Sequence, residues 1–563
     1  MFLAGCQIGE RITCNRCKRR VPPMMTITSS RLIILASTYF LLFVNLAFFE
    51  NILAVYPLNL ENGLFLASLA ILFGCANVIL LSLVCFKYSI KPVLILLLLV
   101  SSMAAYFMDS YNIVIDDAMI DNIVQTDVKE SLDLLSVNQI LYFLLLGVLP
   151  ALYVYRVKIV DQPAWTALKS RAVLASSALV VALVMLFAFG GFYASFFREH
   201  KSLRFYANPS YYVYSTGKYL GRFIKSEPRA LRAIGLDAHI KPHDGQRKLV
   251  IFVLGETARA DHFSLNGYGP ETNPVLAGED VISFTNFWSC GTATADSVPC
   301  LFSVYDRSEF SKDKANSTEN ALDILDRSGV NVLWLDNNSS SKGVADRLRY
   351  ESYKTPEKNS MCEDECRDEG MLVNLQGYID EHPVGDIFIV LHQMGNHGPA
   401  YYKRYPPEFE KFTPICATNQ LEECSNEEIN NTYDNAILYT DYFLGKTIDL
   451  LKDNDNNFAT TMFYVSDHGE SLGENGLYLH GLPYLIAPDT QKHVGVIMWF
   501  GQGSGELPAS LALLRQNAGK AMSHDNIFHT LLGLFNVDTH VYASSKDMIQ
   551  RQPLAVPAIS IAD

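Results

Sequence analysis

At 563 residues the chain exceeds the ~250 to 300 at which a single hydrophobic core stops growing, so at least two domains are expected. Its 59 acidic against 45 basic side chains give a formal charge of −14, which excludes an electrostatic nucleic-acid binder, because neutralising phosphates takes clustered Lys and Arg. Nearly half the residues are hydrophobic (49%), and they divide the chain into an apolar first two fifths and a mixed remainder.

Residues 1–30 fit no pattern. Cys14 and Cys17 form a lone CxxC beside Lys18, Arg19 and Arg20, with only Cys6 for company, which is a weak zinc signal. A disordered extension is expected, of the kind that a start codon placed upstream of Met24 or Met25 would add.

Five stretches long enough to cross a bilayer follow: Leu32 to Phe49, Leu64 to Phe86, Pro92 to Met108, Ile140 to Tyr155 and Ala172 to Phe192. They define a five-helix transmembrane domain over 31–195. Basic residues stay in the cytoplasm, and they cluster before the first span, at Lys87 and Lys91, and at Arg156, Lys158, Lys169 and Arg171. The other two loops are acidic, so the odd number of spans places everything after Phe192 outside. Asn122, Thr126 and Glu130, in the second outer loop, recur every four residues and share one face if that loop is helical. Cys75 and Cys85 lie inside a span and read as ordinary core residues.

Residues 196–246 begin with an aromatic and basic run, including Phe196, Phe197, Arg198, Arg204 and Tyr206, that suits the outer membrane surface. From 247 to 563 the pattern changes to short β-rich runs: LVIFVLG from Leu249, VNVLWLD from Val330, DIFIVLH from Asp386, TTMFYVSD from Thr460 and VGVIMWF from Val494. Helical stretches at Glu319 to Arg327, Arg367 to Glu381 and Asn426 to Leu451 separate them, which predicts an α/β domain with a mainly parallel sheet flanked by helices. Six of the 11 cysteines follow the last span in three close pairs, Cys290 with Cys300, Cys362 with Cys366 and Cys416 with Cys424. An even, locally paired set predicts disulfides in an oxidising compartment.

Ligands bind outside the carboxyl ends of strands in such sheets. Glu256 follows the first run, Asp336 and Asn338 the second, His392 and His397 the third, and Asp467 with His468 the fourth. Two carboxylates and an imidazole suit zinc or manganese in an open, catalytic site. A nucleophile would come from SCGTATADSVPC, where Thr292, Thr294 and Ser297 offer hydroxyls that spacing alone does not separate.

The segments GETARAD, SCGTATADSVPC, DNNSSSKG, LHQMGNHGP and SDHGESLGENGLYLHG resemble the motif set of the lipid A phosphoethanolamine transferases, close to the mobile colistin-resistance enzymes. The resemblance runs from Met25 nearly to the end and implies an alkaline phosphatase and sulfatase fold for the outer domain. It implies Thr294 as the nucleophile, and Glu256, Asp467, His468 and the Thr294 oxygen as ligands of Zn2+, one tight and a second optional. His397 and His480 match positions that contact the transferred phosphate or the second zinc. Thr292, Asn338, Ser339 and Lys342 match the head-group pocket, and Asn122, Thr126 and Glu130 match a membrane-domain motif for the lipid donor. The implied reaction moves phosphoethanolamine from phosphatidylethanolamine to a lipid A phosphate, in a monomer of the Gram-negative inner membrane with its catalytic domain in the periplasm. His392 has no assigned role, and His262, His493, His524, His529 and His540 match no family site. Two rivals are a phosphoglycerol transferase of the lipoteichoic-acid type and a membrane-anchored sensor that binds zinc and phospholipid head groups without turnover.

Overall fold

The structure is a computed structural model that describes residues 26–60, 62–125, 134–225, 230–242, 245–363, 365–503 and 508–549. The N-terminal extension as far as residue 25, together with Thr126 and Glu130, lies outside those residues. The chain forms two compact units. One draws on residues up to Phe43, Asn59–Val100 and Phe143–Tyr193, and the other on Val44–Leu58, Ser101–Tyr142 and the chain from Ala194 onward.

Among the described residues, four helices are long and apolar enough to cross a membrane: Gly63–Val84, Ile90–Tyr111, Val137–Arg156 and Ala164–Ala188. A fifth crossing exists only if Ser29–Phe43 and Leu46–Val55, bent by 57°, count as one broken span. The expected uninterrupted span from Leu32 to Phe49 is therefore corrected to two helices. Asn45 sits at the break, and its side chain is used elsewhere: Nδ2 donates to Asn208 O at 2.6 Å and Oδ1 accepts from Asn208 N at 2.9 Å. In the membrane unit, buried Arg171 donates from Nη1 to Cys85 O at 2.6 Å, satisfying a carbonyl left open where Gly63–Val84 ends. Cys85 is buried, as a core residue should be, whereas Cys75 is only half-buried.

The second unit is built on a seven-stranded sheet. Its strands are β1 (Arg247–Gly255), β2 (Ile282–Ser283), β3 (Asn331–Asp336), β4 (Arg349–Ser352), β5 (Ile387–His392), β6 (Phe458–Ser466) and β7 (Val496–Phe500), in the order β2-β7-β6-β1-β5-β3-β4. All neighbours are parallel except β7, which runs against both β6 and β2. The five long strands are those expected from the apolar runs. Both faces are covered, so nearly every strand residue is apolar and alternate residues serve different cores. Leu249, Ile251 and Val253 enter one core with Ile429, Tyr433, Ile437, Ile448 and Leu451 of the helix Asn426–Asn454. Val250, Phe252 and Leu254 enter the other with residues of Ala321–Arg327 and Ile527–Leu534. The long helix starts at a capping box in which Ser425 and Glu428 satisfy each other's backbone amides. All three expected disulfides form, Cys290–Cys300, Cys362–Cys366 and Cys416–Cys424.

Register decides where the strands end. Gly255 pairs with Ser466, Leu254 with His392, and His392 with Asp336. The residues after β1, β3, β5 and β6 consequently emerge along one edge.

Candidate active site

Glu256 leaves β1 fully buried, followed by Thr257 at φ +58°, a left-handed conformation that a β-branched residue adopts only when its surroundings impose it. Tyr433 on Asn426–Asn454 holds one side of the turn, its hydroxyl donating to Thr257 O at 2.5 Å and accepting from Arg259 N at 2.9 Å, while Thr257 N donates to Asp467 Oδ1 at 3.2 Å and Thr257 Oγ1 to Glu256 Oε1 at 2.5 Å. The buried Arg259 guanidinium pairs with Asp261 at 2.7 Å and with Glu474 at 2.5 Å, anchoring the far side of the turn.

Asp467 and His468 follow β6 and are likewise fully buried. Thr294 opens the helix Thr294–Leu301, and the Cys290–Cys300 disulfide joins the loop before that helix to its last turn. These segments converge. Thr294 Oγ1 lies 3.0 Å from Glu256 Oε2 and 3.3 Å from His468 Nε2, and His468 Nε2 lies 3.3 Å from Glu256 Oε1 and 3.5 Å from Asp467 Oδ2. The other two hydroxyls of the loop are engaged with backbone: Thr292 Oγ1 donates to Leu482 O at 2.7 Å, and Ser297 Oγ donates to Asp467 O at 2.5 Å.

One ligand atom from each of Glu256, Asp467 and His468 falls within 4.8 Å of the others. Asp467 Oδ2 is buried and accepts no hydrogen bond among the described residues, which is costly unless a cation faces it. Two hard oxygens and an imidazole fit a divalent metal such as zinc. Burial raises the Glu256 carboxyl, but the hydrogen bond and charge of His468, with the charges of His397 and His480, outweigh it and hold Glu256 well below its ordinary value. For Asp467 burial prevails and the Glu256 charge adds to it, pushing the group up to about 6. Burial pulls His468 down, yet the Asp467 and Glu256 carboxylates reverse this and carry it to about 10. The cluster thus holds more negative charge than one imidazole balances.

Asn338 donates to Glu256 Oε2 at 2.8 Å and to Gln393 O at 2.7 Å, tying the loop after β3 to those after β1 and β5. Thr294, Ser339, Lys342, His397 and His480 form the polar side of a cavity of about 140 Å³, which Asn122 also lines. Phe107, Ile113, Ile115, Met119, Ile123 and Leu134 form its apolar wall. His480 Nδ1 lies 3.3 Å from buried Glu470, and its ring is 4.3 Å from that of His468 and 5.5 Å from that of His397. Gly395 (φ +52°) presses on the same point: a Cβ there would stand 2.9 Å from Glu256 O.

His392 pairs with Asp336 at 3.0 Å beneath the site, and His524 accepts from Cys290 N at 3.1 Å. Sequence reasoning missed Tyr433, Glu470 and Arg404, which donates to His397 O at 2.6 Å and pairs with Glu365. Only Glu470 carried a signal, by its place in SDHGE.

Residues 248–537 match the sulfatase family model, and residues 73–223 match that of phosphoethanolamine transferase EptA/EptB. The chain is 45% identical over 506 residues to phosphatidylethanolamine transferase Mcr-2 of Escherichia coli, covering 88% of this chain and 92% of that one. It is 41% identical over 529 residues to phosphoethanolamine transferase EptA of Escherichia coli strain K12, covering 92% and 96%. The integral membrane lipooligosaccharide phosphoethanolamine transferase A of Neisseria meningitidis superposes with a TM-score of 0.90 at 34% identity, covering 94% of this chain and all of that one.

Proposed function

Because the chain belongs to the phosphoethanolamine transferases, we propose that it carries phosphoethanolamine from phosphatidylethanolamine to a lipid A phosphate by way of an ester on Thr294. It is a multi-pass inner-membrane enzyme with a periplasmic catalytic domain. The observation that carries the reading is the Thr294 hydroxyl, 3.0 Å from Glu256 in the lining of a cavity whose other wall is apolar.

In the first step Thr294 Oγ1 loses its proton and attacks the donor phosphorus, and the bond from phosphorus to the diacylglycerol oxygen breaks. In the second, a lipid A phosphate oxygen attacks the same phosphorus and the bond to Thr294 breaks, freeing the hydroxyl. Glu256, Asp467, His468 and the Thr294 oxygen would hold zinc, which supplies positive charge opposite the charge that develops on the transferring group. His397 and His480 deliver or remove the proton of the leaving and attacking oxygens. Lys342, Ser339, Asn338 and Thr292 shape the head-group side, and Asn122, Thr126 and Glu130 serve the donor. The enzyme acts as a monomer. The added amine lowers the negative charge of the outer leaflet, so polymyxins such as colistin and other cationic peptides bind it less.

Intact mass of the full-length protein after exposure to phosphatidylethanolamine tests the ester. An adduct of one phosphoethanolamine that maps to Thr294 and is missing from Thr294→Ala supports the reading. Adduct formation unchanged in Thr294→Ala overturns it.

A further inference from the structure

Lys312 opens the short helix Lys312–Asn316, and its side chain is only 17% exposed. Its Nζ touches Asp121 Oδ2 and lies 3.0 Å from Asp296 Oδ1. The two acids belong to different machinery. Asp296 stands two residues after Thr294 on the nucleophile helix, and Asp121 belongs to the helix Asp117–Gln125, whose Met119, Asn122 and Ile123 line the cavity beside Thr294.

Among the described residues, ion pairs at Asp117 and Asp121 hold one edge of Asp117–Gln125. Asp117, one turn before Asp121, lies 2.8 Å from Lys218 on the helix Ser210–Lys225. Met119 and Ile123 leave from the opposite side of the same helix, as the 3.6-residue period requires. Met119 rests close to Gly481, beside His480. Lys312 thus places one cation between two partly buried carboxylates, Asp121 and Asp296, and removing it weakens the tie between the helix that carries the apolar wall and the helix that carries Thr294.

We propose that Lys312 is a positioning residue for the lipid donor, holding Asp117–Gln125 over Thr294 so that the cavity keeps its width. The inference rests on the reading of the cavity as the donor site. Lys312 is not among the residues that line the cavity, and it acts through the two acids.

The test uses full-length enzyme in detergent, with initial rates over a range of phosphatidylethanolamine concentrations and hydrogen exchange of Asp117–Gln125. Lys312→Met is expected to raise KM roughly tenfold with kcat within about twofold, since misplacing a binding wall costs binding before chemistry. Exchange in Asp117–Gln125 rises in the same variant. Lys312→Arg restores both readouts, and Lys312→Asp combined with Asp121→Lys restores them in part. An unchanged KM with unchanged exchange overturns the proposal, as does a lower kcat at constant KM. If the unaltered enzyme itself fails to turn over phosphatidylethanolamine, the donor assignment falls, and the exchange measurement still decides whether Lys312 holds the helix.

Discussion

Replacing Tyr433 with Phe removes one oxygen and leaves the ring. The ring packs edge-on against Tyr401 and His262 at centroid distances of 5.6 and 5.0 Å, contacts that Phe keeps. The hydroxyl is buried, and burial raises its pKa well above the ordinary value, so it remains a donor throughout the working range. Its loss strands Thr257 O and Arg259 N, two buried backbone groups at about 1 to 3 kcal/mol each, or roughly 2 to 4 kcal/mol after relaxation. At about 2 to 4 °C per kcal/mol for a large domain, the unfolding midpoint should fall by roughly 4 to 16 °C. Thr257 then relaxes from its left-handed conformation, Glu256 moves with it, and the transfer rate should drop at least roughly tenfold. Scanning fluorimetry and initial rates on the full-length protein measure both. A midpoint and a rate that match the unaltered enzyme would refute the idea that this hydroxyl braces Glu256; a lower midpoint at full rate would limit it to stability.

Zinc added to chelated enzyme should raise the unfolding midpoint, by about 2.7 kcal/mol in stability at a hundredfold excess over Kd, and Asp467→Asn should abolish most of that response. No response in the unaltered enzyme would remove the metal from the scheme. Burial lowers the His529 pKa from 6.5 to about 4, and its Nδ1 accepts from Ala543 N at 3.1 Å. The unfolded chain therefore takes up a proton that the folded one refuses, so this contribution is complete above about pH 6.5 and is lost as pH falls toward 4. His529→Gln should flatten that part of the stability profile, and a profile unchanged by the substitution would contradict it. Arg404→Lys cannot reproduce the planar fork between His397 O and Glu365, and the transfer rate should fall roughly tenfold. Rates equal to those of the unaltered enzyme would show that the fork does not position His397.

The long strands were legible because burial on both faces makes them continuous apolar runs. The edge strands Ile282–Ser283 and Arg349–Ser352 were not, being short and, in the second, charged. Hydropathy averaged over a whole span hides the break at Asn45, which depends on Asn208, 163 positions away. Glu256, Asp467 and His468 could be brought together on paper because each follows a strand and the strands end in register. Which of Thr292, Thr294 and Ser297 lies beside Glu256 could not be read, because it depends on carbonyls of Leu482 and Asp467 that no spacing rule supplies. Tyr433 looks in sequence like one more residue on the buried face of a long helix, and its hydroxyl matters only once Thr257 is in place.

The close approach of Gly395 to Glu256 also limits how the enzyme can change. Any side chain at 395 would push on Glu256, whose carboxylate the proposed chemistry depends on, so the loop leading to His397 has little room for substitution. A small molecule lodged against that stretch of backbone would confront a target with few mutational escapes that leave it working.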